Sequence, residues 1–248
     1  MKDQPLQTTL AALREAWDRR ARENARHYVA TGRNDWTDED FYRSGQRTVE
    51  GFILSDMENI CQGREPRSMR VLEIGCGAGR VTRALARQFG EVHAVDISAE
   101  MVRLAQEAVA SCPNAHIYQN NGMDLSVVPA AEFDFAFSTI VFQHIPSRGI
   151  IENYLREVNR LLRPGALFKL EVQGGATPKR SPIRRLASAC LHVILPGRRW
   201  QPPPVDRSWF GWMVSPEDAR RLAEQTGYEL RYEDGADTQN YWLWLFKR

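Results

Sequence analysis

The sequence has few cysteines and no long apolar run, and both features limit what the protein can be. Its 248 residues include four widely separated cysteines, Cys61, Cys76, Cys112 and Cys190, with no Cys-x-x-Cys pair. This spacing argues against a zinc site and a disulfide framework, so we expect no metal. No stretch approaches the roughly 20 apolar residues that span a bilayer. The polar start also lacks an apolar signal core, so we expect a cytoplasmic protein without a transmembrane segment.

The sequence also has little excess of one charge. Lysine and arginine total 33, aspartate and glutamate total 31, and the formal net charge is +2. This charge is too small to imply that the whole protein binds nucleic acid. The hydrophobic content of 43% is ordinary for a folded protein, and the length suits one domain of α/β size with additions.

One stretch, residues 69–82, has the pattern of a buried strand, a glycine turn and a helix. A short apolar run comes first, and later apolar residues recur at helical spacing. Glycine reaches positive φ and lets the backbone pass close to a ligand. The dinucleotide fingerprint would need glycine at its sixth position, which here is Arg80, and no Gly-Lys-Ser/Thr of a P-loop is present. The alternating glycines of the turn are Gly75, Gly77 and Gly79.

This glycine pattern, with Glu73 two residues before it and Cys76 inside it, resembles the signature of class I S-adenosylmethionine (SAM)-dependent methyltransferases. In that family the acidic residue helps to orient the methionyl end of the cofactor. The resemblance also implies an acidic residue at the end of the second strand that accepts hydrogen bonds from both ribose hydroxyls. Asp96, followed by Ile97, stands at that position. SAM is therefore the expected cofactor.

The resemblance places adenine beside the loop that follows the third strand. Asn121 falls where the family often has aspartate, and Gly122 and Met123 follow it. An asparagine carbonyl can accept a hydrogen bond from the adenine amine as a carboxylate does. A tight turn would use the same residues, and both interpretations can hold together.

The fourth strand should end at Ser138, on the edge of the sheet where ligands bind. The loop after it resembles the loop that lies between the sulfonium and the acceptor in small-molecule methyltransferases. His144 lies in this loop and is a candidate general base, because imidazole titrates near neutral pH. The alternative is that His144 only hydrogen-bonds the backbone or shapes the pocket.

Motifs that mark other methyltransferase subclasses are missing after the fourth strand. Neither the Asp/Asn-Pro-Pro-Tyr/Phe motif of amino-methylating enzymes that act on bases nor the Pro-Cys motif of cytosine C5 enzymes occurs there. The resemblance therefore favours a small-molecule acceptor, methylated on oxygen or nitrogen by in-line displacement. Nucleic acid is disfavoured as a partner, and a homodimer is left open.

The predicted fold is α/β: a doubly wound, mostly parallel seven-stranded sheet with an antiparallel C-terminal hairpin. Residues 1–65 form an N-terminal helical lid in this prediction, and residues 66–173 form the Rossmann-like SAM-binding core. The predicted lid contacts are Tyr28, Phe41, Tyr42 and Arg43, although these side chains would equally serve to pack the helices onto the sheet. The segment 163–165, Arg-Pro-Gly, should end a helix before a fifth strand over residues 166–172.

Residues 174–212 interrupt the family pattern as an insertion after the fifth strand. They hold six of the thirteen prolines, seven basic residues against one acidic residue, and several tryptophans. We expect this insertion to cap the acceptor, with residues 213–248 adding a helix and the hairpin that complete the core. The alternative from another functional class is a nucleic-acid- or membrane-associated protein that uses this basic segment.

Overall fold

Seven strands form one sheet in the computed structural model, which describes residues 4–129, 132–175 and 211–248. The strands are β1 (Arg70–Ile74), β2 (Glu91–Asp96), β3 (Ala115–Gln119), β4 (Phe133–Ser138), β5 (Leu162–Val172), β6 (Tyr228–Asp234) and β7 (Tyr241–Lys247). The described helices are α1 (Gln4–Val29), α2 (Asp38–Phe52), α3 (Met57–Cys61), α4 (Arg80–Leu85), α5 (Ala99–Ala108), α6 (Arg148–Leu161) and α7 (Pro216–Gln225).

The strand order is β3-β2-β1-β4-β5-β7-β6. The first five strands pair in parallel, while β7 pairs antiparallel with both β5 and β6. The predicted mostly parallel sheet with an antiparallel C-terminal hairpin is therefore confirmed. Every residue of β4 is buried, as expected of a central parallel strand that is covered on both faces.

Helices cover both faces of the sheet, which makes it doubly wound. One face packs Val71, Phe135 and Phe137 against apolar residues of α2, α3 and α4. The other face packs Leu72 and Phe168 against α6 and α7. The burial of these two apolar layers is the main contribution to the stability of the fold.

Local capping explains where two of the helices begin. Ser98 precedes α5 and its hydroxyl accepts a hydrogen bond from the N–H of Met101, and Ser215 does the same for Asp218 at the start of α7. Pro216 occupies the first position of α7, where its missing N–H costs nothing. Serine is among the residues preferred at this position, because its short side chain satisfies an N–H group that the helix leaves unpaired.

The boundary between α6 and β5 differs from the prediction. The helix ends at Leu161, and β5 already begins at Leu162, so residues 163–165 lie inside the strand. The pairing with β4 shifts there, because Phe133 pairs with Leu162 but Phe135 with Leu167. Proline cannot donate to the ladder, and a glycine at φ +76° follows it, so the segment bulges without ending the strand.

The predicted insertion falls mainly on residues 176–210, which lie outside the described residues. The expected acceptor cap and the nucleic-acid or membrane alternative therefore stay predictions. In the part of the chain that is described, no helix is long and apolar enough to cross a membrane.

Candidate functional site

The glycine turn between β1 and α4 is tied to the neighbouring strand. The N–H groups of Gly75 and Cys76 both donate to the carbonyl oxygen of Val95, at 2.8 and 3.0 Å. Gly75, Gly77 and Gly79 all have positive φ, between +51° and +77°. Other residues rarely adopt this conformation, so the turn needs glycine at alternating positions.

Asp96, at the end of β2, faces this turn. Its Oδ2 accepts a hydrogen bond from the N–H of Gly77 at 2.9 Å, and its Oδ1 accepts one from the N–H of Ser98 at 2.9 Å. Burial raises the pKa of Asp96 to about 6, although these backbone hydrogen bonds oppose the shift. A carboxylate oxygen accepts more than one hydrogen bond, so Asp96 keeps acceptor capacity toward a ligand.

Glu73 is buried beneath the same turn. Its Oε2 accepts a hydrogen bond from Oγ1 of Thr82 at 2.6 Å. Burial raises the pKa of Glu73 to about 7, and the positive charge of Arg80 partly opposes this rise. The site therefore holds a carboxyl group that exchanges its proton near neutral pH.

Arg80 belongs to this cluster, although the sequence analysis used it only to exclude a dinucleotide site. Its side chain is 6% exposed, and NH1 donates to Oγ1 of Thr48 in α2 at 2.8 Å. Burial lowers the pKa of Arg80, while the charge of Glu73 opposes the shift. Local sequence patterns do not predict the burial of Arg80 against α2, because α2 lies about thirty residues earlier in the chain.

These groups line one cavity at the carboxyl edge of the parallel strands. The cavity contains about 930 Å³ of empty space, part of it open to solvent. A position at this edge is where ligands bind in open α/β sheets. Its wall includes six residues that were predicted around the turn and the second strand: Glu73, Gly75, Cys76, Gly77, Asp96 and Ile97.

Asn120 lines the cavity, whereas the neighbouring Asn121 does not. Nδ2 of Asn120 donates to the hydroxyl oxygen of Tyr154 at 2.7 Å, but its buried Oδ1 has no hydrogen-bond partner among the described residues. Oδ1 of Asn121 instead accepts from the N–H groups of Met123 and Asp124, at 2.8 and 2.9 Å. Of the two interpretations given for Asn121, its side chain serves the tight turn, and the orphaned acceptor belongs to Asn120.

The loop after β4 carries His144 into the cavity wall. Its ring is 4% exposed and lies edge-on to the ring of Trp17, with 5.3 Å between the centroids. Ile140, in the same loop, adopts φ +60°, which is strained for a β-branched residue. The buried carboxylate of Glu171 in β5 holds this conformation, because its Oε2 accepts from the N–H of Ile140 at 3.1 Å and from Oγ1 of Thr139 at 2.7 Å.

The first helix contributes one wall of the cavity. Leu13, Trp17, Tyr28 and Val29 of α1 line it, which is the position that the predicted lid requires, and the lid function itself stays a prediction. Of the four predicted lid contacts, only Tyr28 reaches the cavity. Phe41 and Tyr42 pack between the helices and Arg43 pairs with Glu39 in α2, as the packing alternative expected.

Four predicted site residues lie beside the cavity without lining it. Ser138 donates its hydroxyl to the carbonyl oxygen of Ile74 at 2.9 Å within the sheet. Gly79 packs against α5, since a Cβ there would lie 3.0 Å from Cα of Ala105. Asn121 and Met123 form the turn described above. These four positions support the shape of the site, while Arg80, Asn120 and Tyr154 were not predicted and do line it.

A family model described as a methyltransferase domain matches residues 71–165, which include the glycine turn, Asp96 and the loop with His144. Residues 71–165 form a class I SAM-dependent methyltransferase domain. SAM is thus the cofactor of this methyltransferase, and the fit is supported by the glycine turn that a Cβ would fill and by the orphaned acceptor of Asn120. Both features are what a bound nucleoside with backbone and amine contacts requires.

Two curated relatives of this methyltransferase have names that refer to quinone synthesis. A ubiquinone biosynthesis O-methyltransferase of Xanthomonas axonopodis pv. citri is 28% identical over 164 residues, which is 66% of this chain and 66% of that protein. A demethylmenaquinone methyltransferase of Staphylococcus aureus is 31% identical over 106 residues, 41% of this chain and 42% of that one. The matches thus span less than the full length of these relatives.

Solved structures share the fold of this methyltransferase. The magnesium protoporphyrin IX methyltransferase of Synechocystis PCC 6803 with bound S-adenosylhomocysteine (SAH) has a TM-score of 0.63. The two chains are 17% identical, and the similarity covers 96% of this chain and 99% of the other. At this low identity the TM-score shows a shared fold and no more, and the coverage shows that the similarity includes the N-terminal helices and the C-terminal hairpin.

Proposed function

We propose that this methyltransferase moves the methyl group of SAM to an oxygen atom of a small, largely apolar acceptor. SAM supplies a methyl group on a positively charged sulfur. The observation that carries the proposal is a single cavity in which the Gly75–Gly79 turn, Asp96 and Asn120 face His144 across an apolar wall. This arrangement offers polar groups for a cofactor on one side and an imidazole with apolar neighbours on the other.

The residues of the cofactor side have separate roles in this proposal. Asp96 accepts from the ribose hydroxyls, because its two oxygens can accept hydrogen bonds beyond those from the N–H groups of Gly77 and Ser98. Glu73 orients the methionyl end from below the turn. Asn120 accepts from the adenine amine through its orphaned Oδ1, and Ile97 and Gly122 line the wall beside it. Asn121 and Met123 shape that loop.

The protein contributes mainly position to the transfer. Holding reactants at close approach in line supplies about 7–11 kcal/mol in favourable cases, so no nucleophilic side chain is needed. His144 removes the proton from the acceptor hydroxyl as a general base. Its ring is held by the edge-on contact with Trp17 and by the buried loop in which it lies.

An aromatic hydroxyl is the acceptor that this site suits best. The wall around His144 is apolar, and it includes Trp17, Val141, Ile145 and Ile150. An aromatic ring would bury well against such a wall, with its hydroxyl as the one polar group to be recognised. The curated relatives named for ubiquinone and menaquinone synthesis support the same class.

Calorimetry with SAM, SAH and NAD tests the cofactor side. We expect SAM and SAH to bind and NAD to bind at least about tenfold more weakly, and we expect Asp96→Ala to cost about 1.5–3 kcal/mol of SAM binding. Asp237→Ala, in the loop before β7, is the matched control and should bind SAM normally. Tighter binding of NAD than of SAM, or normal SAM binding by Asp96→Ala, would refute the assignment.

Steady-state assays with a panel of catechols and hydroquinones test the acceptor side. His144→Gln keeps the size of the side chain but removes the base, so we expect kcat to fall about 100-fold or more while SAM affinity is unchanged. The pH dependence of kcat should lose its acidic limb in the variant. Methylation only of amines, or full activity of His144→Gln, would contradict this part of the proposal.

We also propose that the enzyme works in the cytoplasm. The described cysteines, Cys61, Cys76 and Cys112, are free thiols, which is the usual state in a reducing compartment. Fractionation of the source cells followed by immunodetection would test this location, and light scattering of the purified protein would decide whether it forms the homodimer that the sequence leaves open.

A further inference from the structure

Two histidines and a glutamate meet on one face of the sheet, away from the cofactor cavity. Glu91 and His93 are two residues apart on β2, so their side chains share a face. His116 on the edge strand β3 is the register partner of His93 and therefore lies on that face too. One ligand atom of each residue lies within 4.8 Å of those of the others.

The distances between these atoms match a metal site. Oε1 of Glu91 lies 3.0 Å from Nε2 of His93 and 3.4 Å from Nε2 of His116. Metal–ligand bonds of about 2.0–2.2 Å in a tetrahedral zinc site place neighbouring ligand atoms about 3.3 Å apart. The glutamate oxygen and the two ring nitrogens thus occupy positions close to three corners of a tetrahedron.

His93 has a buried ring nitrogen that lacks an aligned hydrogen bond. The residue is 4% exposed, and among the described residues its Nε2 has no partner that meets hydrogen-bond geometry, although Oε1 of Glu91 is 3.0 Å away. A buried polar atom without a partner is costly unless something else binds it. A cation between Nε2 and Oε1 would satisfy both atoms at once.

Tyr118 holds the ring of His93 in the orientation that a metal ligand needs. Nδ1 of His93 lies 3.0 Å from the hydroxyl oxygen of Tyr118, and the two rings are nearly parallel. When Nδ1–H donates to this oxygen, Nε2 presents its lone pair toward Glu91 and His116. Metal-bound histidines are commonly fixed by such a hydrogen bond from the other ring nitrogen.

We propose that Glu91, His93 and His116 bind a divalent transition-metal ion of the Zn²⁺ class, with solvent in the fourth position. Two imidazoles and a carboxylate are a donor set that suits zinc and its neighbours and disfavours Mg²⁺ and Ca²⁺. His116 has a half-exposed side chain and gives the ion access from solvent. The ion would link the edge strand β3 to β2.

This site is independent of the proposed methyl transfer. His93 precedes Asp96 by three residues, which is about 10 Å along the strand. The cysteine spacing argued against a zinc site, but that argument concerned thiolate ligands, and the pairing of His93 with His116 across two strands is a property of the fold. Loss of the metal should therefore leave SAM affinity unchanged.

Arg70 provides a variant that should tighten metal binding, whereas the other variants should weaken it. Its Nε bonds Oε2 of Glu91 at 2.6 Å, so a positive charge lies next to the carboxylate that would bind the ion. Replacing Arg70 with glutamine removes this repulsion and should tighten metal binding. Removing a ligand or its support should weaken the binding.

The experiment titrates the full-length, metal-stripped protein with Zn²⁺ in competition with a chromophoric chelator, under reducing conditions. We expect one ion to bind, with the affinity lowered about 10–100-fold in Tyr118→Phe and at least as much in His116→Ala and Glu91→Gln. Arg70→Gln should bind more tightly, and His27→Ala, which removes a histidine in α1, should bind as the wild type does. Co²⁺ should give the visible spectrum of a tetrahedral site in the wild type and in His27→Ala, and should not give it in His116→Ala or Glu91→Gln.

Circular dichroism melting shows whether each variant is folded. If His116→Ala does not fold, the isosteric variants Glu91→Gln and Tyr118→Phe still test the site. Zn²⁺ should raise the melting temperature of the wild type and not that of Glu91→Gln. Absence of Zn²⁺ binding in the wild type would overturn the proposal. Binding that survives both His116→Ala and Glu91→Gln would overturn it as well, since other residues would then bind the ion.

Discussion

Asp18 in the first helix and Ser98 at the start of α5 are joined by a hydrogen bond, in which the serine hydroxyl donates to Oδ1 of Asp18 at 2.6 Å. The same oxygen accepts from the N–H of Glu100 at 3.2 Å. A carboxylate at a helix N-terminus interacts favourably with the exposed N–H groups and the helix dipole. Because Ser98 follows Asp96 by two residues, this contact fixes the helix α1 to the segment that leaves β2 beside the cavity.

Asp18→Ala should release the lid. We expect a loss of about 1–2 kcal/mol in the free energy of unfolding, since a charged hydrogen bond is removed at a half-buried position. Asp18→Asn keeps an acceptor and should cost less. Hydrogen exchange of the α1 amides is the measurement, and equal exchange rates in the wild type and Asp18→Ala would show that α1 is held by its apolar contacts alone.

Gly77→Ala tests how closely the lid approaches the glycine turn. A Cβ at this position would lie 2.7 Å from Cγ2 of Val29, and Gly77 has φ +51°. We expect the variant to lose about 1–2 kcal/mol of stability through its backbone conformation and to lose SAM binding in calorimetry. Gly51→Ala, where no atom lies within 4 Å of the new Cβ, should instead be neutral or stabilising.

A double variant separates the two causes of this loss. If the lid clash dominates, Val29→Ala should restore part of the SAM affinity of Gly77→Ala, because the methyl groups that would collide are gone. Unchanged affinity in Gly77→Ala itself would show that neither the lid nor the cofactor approaches the turn at this residue.

Local patterns allowed much of the fold to be predicted. The central parallel strands are short apolar runs, and Ser98 and Ser215 start helices by hydrogen bonds within a few residues. The glycine turn is also a local feature, because the positive φ at positions 75 and 77 favours glycine there. Such features depend on neighbours in the chain and can therefore be recognised without the structure.

The remaining parts of the site depend on contacts between distant segments. Glu171 in β5 holds the strained Ile140, and Arg80 reaches Thr48 in α2, neither of which leaves a local signal. The choice between Asn120 and Asn121 is also decided by the fold, because only the hydroxyl of Tyr154 from α6 draws Asn120 inward. Residues 174–212 gave the least regular pattern, and their predicted acceptor cap stays a prediction.

A buried ion pair between β5 and the segment that precedes α3 gives a prediction on stability alone. Lys169 in β5 is 3% exposed, and its Nζ lies 2.7 Å from Oδ2 of Asp56, which also accepts from Nε1 of Trp244 at 2.6 Å. Asp56→Ala leaves the ammonium group buried without its partner, so we expect a loss of about 3–5 kcal/mol. The double variant Asp56→Ala, Lys169→Met should recover most of this loss in the free energy of unfolding, as measured by urea unfolding. An equal loss in the single variant Asp56→Ala and the double variant would contradict the pairing.

Glu73 should make the stability of the protein depend on pH in a direction that is unusual for a carboxyl group. Its pKa is about 7 in the folded protein and 4.5 in the reference state, so between these values the folded state holds a proton that the unfolded state has lost. The free energy of unfolding then falls as pH rises through this window, by about 3 kcal/mol in total. Below the window the contribution is fully present, and above it none is left.

Glu73→Gln isolates this contribution, because glutamine keeps an acceptor for the hydroxyl of Thr82 and does not titrate. We expect the variant to gain stability relative to the wild type as the pH rises from about 5 to about 8, as measured by urea unfolding at several pH values. Asp96, whose pKa is raised to about 6, contributes in the same direction and remains in both proteins. The difference between the two proteins therefore reports Glu73 alone, and parallel pH profiles would show that its carboxyl group is ionised when buried, stabilised by Arg80.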